Sequence, residues 1–75
     1  MAKRWSGSTI QSLLFDAEHY STASAKTWAR RHGYRSSDAR LEGRFVHVRQ
    51  HDPRKGKAKR TIVLGKGIEA IVEQA

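Results

Sequence analysis

Short apolar runs alternate with polar stretches along the chain, and the spacing within each run indicates its structure. Residues 9–15 (TIQSLLF) form an apolar run that stops at Asp16, and its short length favours a strand. Residues 44–50 (RFVHVRQ) and 60–64 (RTIVL) are rich in β-branched and aromatic side chains, which are typical of strands. A further short strand is predicted around residues 39–42.

One amphipathic helix is predicted over residues 22–32. Ser21 or Thr22 can accept hydrogen bonds from the free N–H groups of the first turn. Gly33 suits the left-handed position after the last turn, and Tyr34 can fold back as its apolar partner. The positions that share one face at helical spacing are Ala25, Trp28, Ala29 and His32.

The pairing of the later strands is predicted from their connection. Residues 44–50 and 60–64 are joined by one basic stretch, so the simplest arrangement is an antiparallel hairpin with a long loop. The tail, residues 68–75, fits either a helix face or a strand.

These elements predict an α+β fold, with one amphipathic helix packed on a small, mostly antiparallel sheet of three to four strands. Residues 1–8 are expected to form a flexible arm, and residues 9–75 a single compact domain. Alternation puts Val46 and Val48 on one face of their strand, opposite Phe45, His47 and Arg49. The expected core has Trp28 at its centre, surrounded by Leu13, Phe15, Val46, Val48, Ile62, Leu64 and Ile71.

Composition narrows the possible functions. The 75 residues include 15 Lys or Arg and only 7 Asp or Glu, a net charge of +8, so the surface attracts polyanions such as nucleic acid. The absence of cysteine excludes disulfides, thiolate zinc sites and thiol nucleophiles. No apolar run approaches the length of about 20 residues that a membrane helix needs, and the N-terminus lacks the apolar segment of a signal peptide.

The cations are concentrated in one part of the chain. Residues 44–60 contain seven Lys or Arg and a single acid, Asp52, whereas a solvated face normally mixes both signs. This segregation predicts contact with phosphate, with little sequence preference because no device for reading bases is evident. A mobile, merely soluble loop and contact with an acidic protein surface are the alternatives. The predicted nucleic-acid-binding residues are Arg30, Arg31, Arg44, Arg49, Arg54, Lys55, Lys57, Lys59 and Arg60, with Arg35 close to the first two.

Two aromatic residues lie beside cations and could stack on bases. Trp5 follows Lys3 and Arg4, and Phe45 shares a strand face with His47. The alternative for each is ordinary packing, of Trp5 back on the domain and of Phe45 beneath a terminal segment.

Catalysis and metal binding find no support in the sequence. The four histidines, at 19, 32, 47 and 51, lack the spacing and the additional ligands of a metal site. The stretch LGKGIEA, residues 64–70, lacks the order of a phosphate-binding loop and predicts a tight turn. No serine lies near an evident base and carboxylate pair. We therefore expect a protein that is not an enzyme and uses no cofactor.

The order of these motifs resembles a small domain associated with tailed phages and prophages, which has no assigned activity. The matching pieces span residues 15–72 and are Tyr20, Ala25 with Trp28, His32-Gly33, Phe45, Val48-Arg49-Gln50 with Pro53, and Leu64-Gly65-Lys66-Gly67-Ile68 with Ala70. Val48 stands where the pattern has an aromatic residue. The resemblance implies a phage-derived accessory protein, in the bacterial cytoplasm or in the virion. The expected function is nucleic-acid binding as a monomer or homodimer; the alternative is a protein-interaction module that docks on an acidic protein.

Overall fold

Five strands and one helix make up residues 9–74, the part of the chain that this computed structural model describes. In chain order they are β1 (Thr9–Asp16), α1 (Thr22–Arg31), β2 (Ala39–Glu42), β3 (Phe45–Arg49), β4 (Lys59–Gly65) and β5 (Ile68–Glu73). The α+β prediction is confirmed, and the antiparallel sheet has five strands rather than three to four. The predicted N-terminal arm, with Trp5, lies outside the described residues.

The strand order in the sheet is β2-β3-β1-β5-β4, and every neighbouring pair is antiparallel. The prediction that β3 and β4 form a hairpin is wrong, because β1 and β5 lie between them. The chain from β3 to β4 therefore crosses the ends of two strands. The ambiguous tail is strand β5, which pairs with β1 on one side and β4 on the other.

Helix α1 begins and ends as its sequence predicts. The Ser21 hydroxyl accepts from the Ser24 backbone N–H at 3.1 Å, and the Ser24 hydroxyl accepts from the Ser21 N–H at 2.9 Å, so both residues satisfy free donors at the first turn. At the other end Gly33 has φ +81°, and the Tyr34 N–H donates to the Ala29 carbonyl at 2.8 Å. This is the left-handed glycine ending of a helix, and the Tyr34 ring stacks against Trp28.

The helix covers one face of the sheet. Ala25 and Ala29 are fully buried, and their small side chains let the helix approach the strands closely. Leu13 and Phe15 on β1 occupy the centre of the core. Trp28 packs at the margin of the core instead of at its centre. The buried core residues are Leu13, Phe15, Ala25, Ala29, Val46, Val48, Ile68 and Ala70.

Two residues expected in the core lie elsewhere. Leu64, near the end of edge strand β4, is 38% exposed. Ile71 lies opposite Ser12 in the register and is half-buried on the face that the helix does not cover, called here the open face. The alternation predicted for β3 is confirmed, with Val46 and Val48 buried and the residues between them half-buried.

The sheet has two ends of different construction. At the turn end, tight turns at residues 43–44 and 66–67 join β2 to β3 and β4 to β5, and both turns bond to the end of β1. The Asp16 N–H donates to the Gly67 carbonyl at 2.8 Å, and the Ala17 N–H donates to the Arg44 carbonyl at 2.9 Å. At the other end, called the loop end, residues 50–58 cross from β3 to β4. Helix α1 starts near the turn end and finishes at the loop end.

Candidate nucleic-acid interface

The two ends of the sheet carry opposite excesses of charge. The turn end has two cations and four acids, which are Arg44, Lys66, Asp16, Glu18, Glu42 and Glu69. The loop end has three acids, Asp38, Asp52 and Glu73. Its ten cations among residues 9–74 are Arg30, Arg31, Arg35, Arg40, Arg49, Arg54, Lys55, Lys57, Lys59 and Arg60. The fold therefore gathers residues from the helix, three strands and the crossing loop into one positive region.

The crossing loop is bound to the strand ends beneath it. The pairing of β1 with β5 is irregular between Ile10 and Ser12, at Gln11. The Gln11 carbonyl accepts the Gln50 N–H at 2.8 Å, and the Gln11 side-chain amide donates to the His51 carbonyl at 2.8 Å. The start of the loop is thereby fixed to the central strand.

Glu73, at the end of β5, holds the middle of the loop. Its carboxylate is fully buried, and it accepts the Arg54 backbone N–H at 2.8 Å and the Arg54 Nε–H at 2.6 Å. Lys59 Nζ lies 3.8 Å from the same carboxylate. The side-chain and backbone hydrogen bonds from Arg54 lower the pKa of Glu73 below its ordinary value, because they stabilise the ionised form. Arg54 thus has a structural role that its place in a basic run did not indicate.

The tip of the loop projects beyond this anchor. Lys55 and Gly56 form a turn, with φ +77° at the glycine, and Lys57 follows. Both lysines are exposed, and neither makes an ion pair within residues 9–74. The loop then returns to the sheet, where the Ala58 carbonyl accepts the Gln74 N–H at 2.9 Å. The lysines are accordingly presented from a loop that is attached on both sides of its tip.

The helix C-terminus supplies the second group of cations. Arg30 and Arg31 are exposed in the last turn and make no ion pair with a described carboxylate. The segment after the helix is tied to the loop, because the Arg35 N–H donates to Gln50 Oε1 at 2.8 Å and the Arg35 guanidinium donates to the Gln50 carbonyl at 3.0 Å. The Gln50 amide also donates to the Arg35 carbonyl at 2.9 Å. Gln50 thus holds the post-helix segment against the start of the loop.

Other cations at the loop end have acidic neighbours within the protein. Arg49 lies 3.4 Å from Asp52, whose side chain is 91% exposed, and Arg40 lies 3.7 Å from Asp38. Such solvated pairs contribute between about 0 and 1 kcal/mol and exchange easily for other partners. Arg60 lies on β4 opposite Val72 and has an interaction within the protein.

Eight of the nine predicted nucleic-acid-binding residues lie at the loop end. The exception is Arg44, which the structure places in the β2–β3 turn at the opposite end of the sheet. Arg44 is therefore close to the loop in sequence but not in space. Arg40, which the prediction did not include, lies on the loop-end half of β2. Its place at the loop end follows from the pairing of Arg40 with His47 on β3, which the local sequence does not indicate.

Phe45, predicted as a stacking residue, is half-buried on the open face. Its register partners are Asp16 and Glu42, both at the turn end, so it does not join the loop-end cations. The other predicted stacking residue, Trp5, lies outside the described residues. The open face also contains a shallow concavity of about 220 Å³ between β2 and β5, where Arg40, His47 and Arg49 lie with Asp38 and Glu42. Both signs of charge line it.

Three residues at the loop end that organise the site were not predicted. Gln11, Gln50 and Glu73 all bond to partners at least 15 residues away, so no pattern of neighbours reveals them. Within residues 9–74, no three His, Cys, Asp or Glu side chains are placed to hold a metal ion. The one helix of this part of the chain is too short and too polar to cross a membrane.

Comparison with known proteins identifies no relative of this chain. The sequence matches no protein-family model, no curated protein matches it at a significant level, and no solved structure does so either. Function must therefore be argued from the residues and their placement.

Proposed function

We propose that this protein binds nucleic acid through the phosphate backbone, with the loop end as its contact surface. The observation that carries the proposal is the separation of charge by the fold: ten cations and three acids at one end, two cations and four acids at the other. Keeping so many like charges together costs electrostatic self-repulsion, and a polyanion relieves that repulsion.

The protein's own acids neutralise only part of the loop end. Glu73 engages Arg54 and lies near Lys59, while Asp52 and Asp38 make long, solvated contacts with Arg49 and Arg40. Four exposed cations at the loop end have side chains that make neither an ion pair nor a hydrogen bond within residues 9–74, and these are Arg30, Arg31, Lys55 and Lys57. We assign these four as the primary phosphate contacts.

Anchoring of the loop supports the same proposal. A loop that is already held at Gln11 and Glu73 loses less conformational entropy on binding than a free one. Arg54 serves binding indirectly, since its contacts with Glu73 position the lysine tip. Because no device for reading base edges is evident among the described residues of this end, we expect weak discrimination between sequences. Together with the phage resemblance, this favours a non-enzymatic accessory protein.

Fluorescence anisotropy with labelled random duplex DNA, single-stranded DNA and RNA at several salt concentrations tests the proposal. Release of counterions from four phosphates gives a log–log slope of about −3.6 on duplex DNA. The variant Lys55→Ala/Lys57→Ala should bind more weakly and lower the magnitude of that slope by about 2.

The matched control removes the same charge from the other end. Arg44→Ala/Lys66→Ala also deletes two cations, and it should leave affinity and slope close to those of the unmodified protein. Equal losses in both variants would mean that net charge alone attracts the polyanion. Binding to none of the three nucleic acids would favour the alternative, an acidic protein partner.

A further inference from the structure

Strand β2 forms one edge of the sheet, and its outer side has no partner in the described part of the chain. It is only four residues long, yet Leu41 at its centre is 61% exposed. A strand edge of this kind offers unpaired N–H and C=O groups to another strand. The backbone directions and the charges of β2 determine which strand can pair with it.

The hydrogen-bond phase of β2 determines which residues can pair outward. The Arg49 N–H donates to the Asp38 carbonyl at 2.9 Å, so Asp38 turns its backbone groups toward β3. Because this direction alternates in an antiparallel pair, Arg40 and Glu42 also face β3. The backbone groups of residues 39, 41 and 43 therefore point to the free edge.

The charges around Leu41 are antisymmetric. In the sequence Asp38-Ala39-Arg40-Leu41-Glu42-Gly43-Arg44, a cation stands on one side of Leu41 wherever an acid stands on the other. A twofold axis through Leu41 would place Arg40 of each copy opposite Glu42 of the other, and Asp38 opposite Arg44. Cross-strand pairs of opposite charge stabilise a sheet, and like charges destabilise it.

The same charges disfavour the neighbouring registers. Only registers that pair residues 39, 41 and 43 with one another satisfy the hydrogen-bond phase, so the axis can move in whole-residue steps to Arg40 or Glu42. An axis at Arg40 would put Arg40 against Arg40 and Asp38 against Glu42. An axis at Glu42 would put Glu42 against Glu42 and Arg40 against Arg44. Of these three axes, which pair the most residues of β2, only the one at Leu41 opposes unlike charges throughout.

We propose that β2 is a self-association edge, at which two copies of this chain pair antiparallel about Leu41 to make one continuous ten-stranded sheet. The contacts that Arg40 and Glu42 make within one copy are compatible with this, since Arg40–Asp38 at 3.7 Å and His47–Glu42 at 3.8 Å are long and solvated. In this dimer the loop ends of the two copies point in opposite directions. Such a short edge makes a small interface, so association should be weak and dependent on concentration.

Sedimentation equilibrium over a range of protein concentrations tests the proposal without nucleic acid, so its outcome is independent of the proposed function. The unmodified protein should show a reversible monomer–dimer equilibrium. Arg40→Glu and Glu42→Arg each place like charges opposite each other twice, and each should weaken dimerisation about tenfold or more. Circular dichroism melting curves establish that each variant remains folded.

Restoration of the charge pattern is the decisive comparison. The double variant Arg40→Glu/Glu42→Arg should dimerise as the unmodified protein does, and an equimolar mixture of the two single variants should form heterodimers. Val63→Glu, on the opposite edge strand β4 where Val63 is 76% exposed, is the control and should not alter dimerisation. A strictly monomeric unmodified protein, failure of the double variant to recover, or loss of the dimer in Val63→Glu would each overturn the proposal.

Discussion

The strands are connected differently at the loop end and at the turn end of the sheet. At the turn end, neighbouring strands are joined by two-residue turns in which Gly43 and Gly67 have positive φ angles of 59° and 76°. At the loop end, β3 and β4 are separated by two strands, and residues 50–58 must span them. The long connection carries four charged side chains, whereas each tight turn carries one, Arg44 or Lys66.

This difference shows that the position of a cation in the fold matters more than its position in the sequence. Arg44 stands five residues before Arg49 along the chain, yet the length of β3 separates them and puts Arg44 among the acids of the turn end. Arg30 and Arg31, about 20 residues earlier in the sequence, share the loop end because helix α1 ends there. Four experiments test this difference between the two ends.

The largest effect is expected from Phe15→Ala, which removes the core that both ends share. Phe15 is fully buried and makes edge contacts with Tyr20 and Trp28 at ring-centroid distances of 5.3 and 5.6 Å. The change should lower the free energy of unfolding by about 3–5 kcal/mol, measured by urea denaturation. Val63→Ala, at an exposed site, should stay within about 0.5 kcal/mol. Hydrogen exchange should rise at both ends together; persistent protection at one end alone would show that they unfold separately.

Glu73→Gln should loosen the loop end without disturbing the turn end. Glutamine keeps the shape of the side chain but loses the negative charge that engages Arg54, and part of a buried pair is left unsatisfied. Amide exchange at Arg54 and Gln74 should accelerate, whereas the Asp16 amide, bonded to Gly67 at the turn end, should keep its protection. Glu69→Gln, on the same strand but without an ion pair in residues 9–74, is the control. Equal acceleration at Asp16 would contradict a local role for Glu73.

Gly67→Ala tests the geometry of the turn end. An alanine at φ +76° adopts the left-handed region at a cost of about 1–2 kcal/mol, which lowers Tm by several degrees in a domain of this size. Gly65→Ala, at the end of β4 just before the same turn, is the matched control, because Gly65 has no positive φ and open space where a Cβ would lie. Similar Tm values for the two variants would argue against backbone strain as the cause.

The smallest expected effect is a response of the loop to acid. Because hydrogen bonds from Arg54 lower the pKa of Glu73 in the folded state, its contribution to stability is complete above the ordinary carboxyl pKa and is lost as the pH falls through the lowered folded value. Amide chemical shifts followed from pH 7 downward should therefore move at Arg54 within the acidic range. In Glu73→Gln this movement should vanish; an unchanged titration would assign it to another group.

The helix was predictable from sequence because every signal it needs is local. Ser21 and Ser24 satisfy donors three residues apart, and Gly33 with Tyr34 closes the helix on carbonyls of its own last turn. Strands β3 and β4 were predictable for the same reason, since their β-branched and aromatic composition is local, and β1 was predictable from a short apolar run that stops at Asp16. None of these signals depends on the rest of the fold.

The order of the strands and the anchor of the loop were not predictable. In β5, Ile68, Ala70 and Val72 are buried and Glu69 and Ile71 are half-buried, but Ile71 is itself apolar, so the sequence does not alternate between apolar and polar residues. A long connection after β3 is compatible with a hairpin or with a crossing, and no neighbouring residue distinguishes them. The burial of Glu73 depends on Arg54, 19 residues away.

Amide chemical-shift mapping with a short random DNA duplex tests most directly whether the loop end is the contact surface. Adding the duplex to isotope-labelled protein at low salt should shift residues 30–35 and 51–60, and raising the salt should reverse the shifts. The amide chemical shifts of residues 43–44 and 65–67 should not change. Shifts concentrated at the turn end or on the open face, or none at any accessible concentration, would contradict nucleic-acid binding at the loop end.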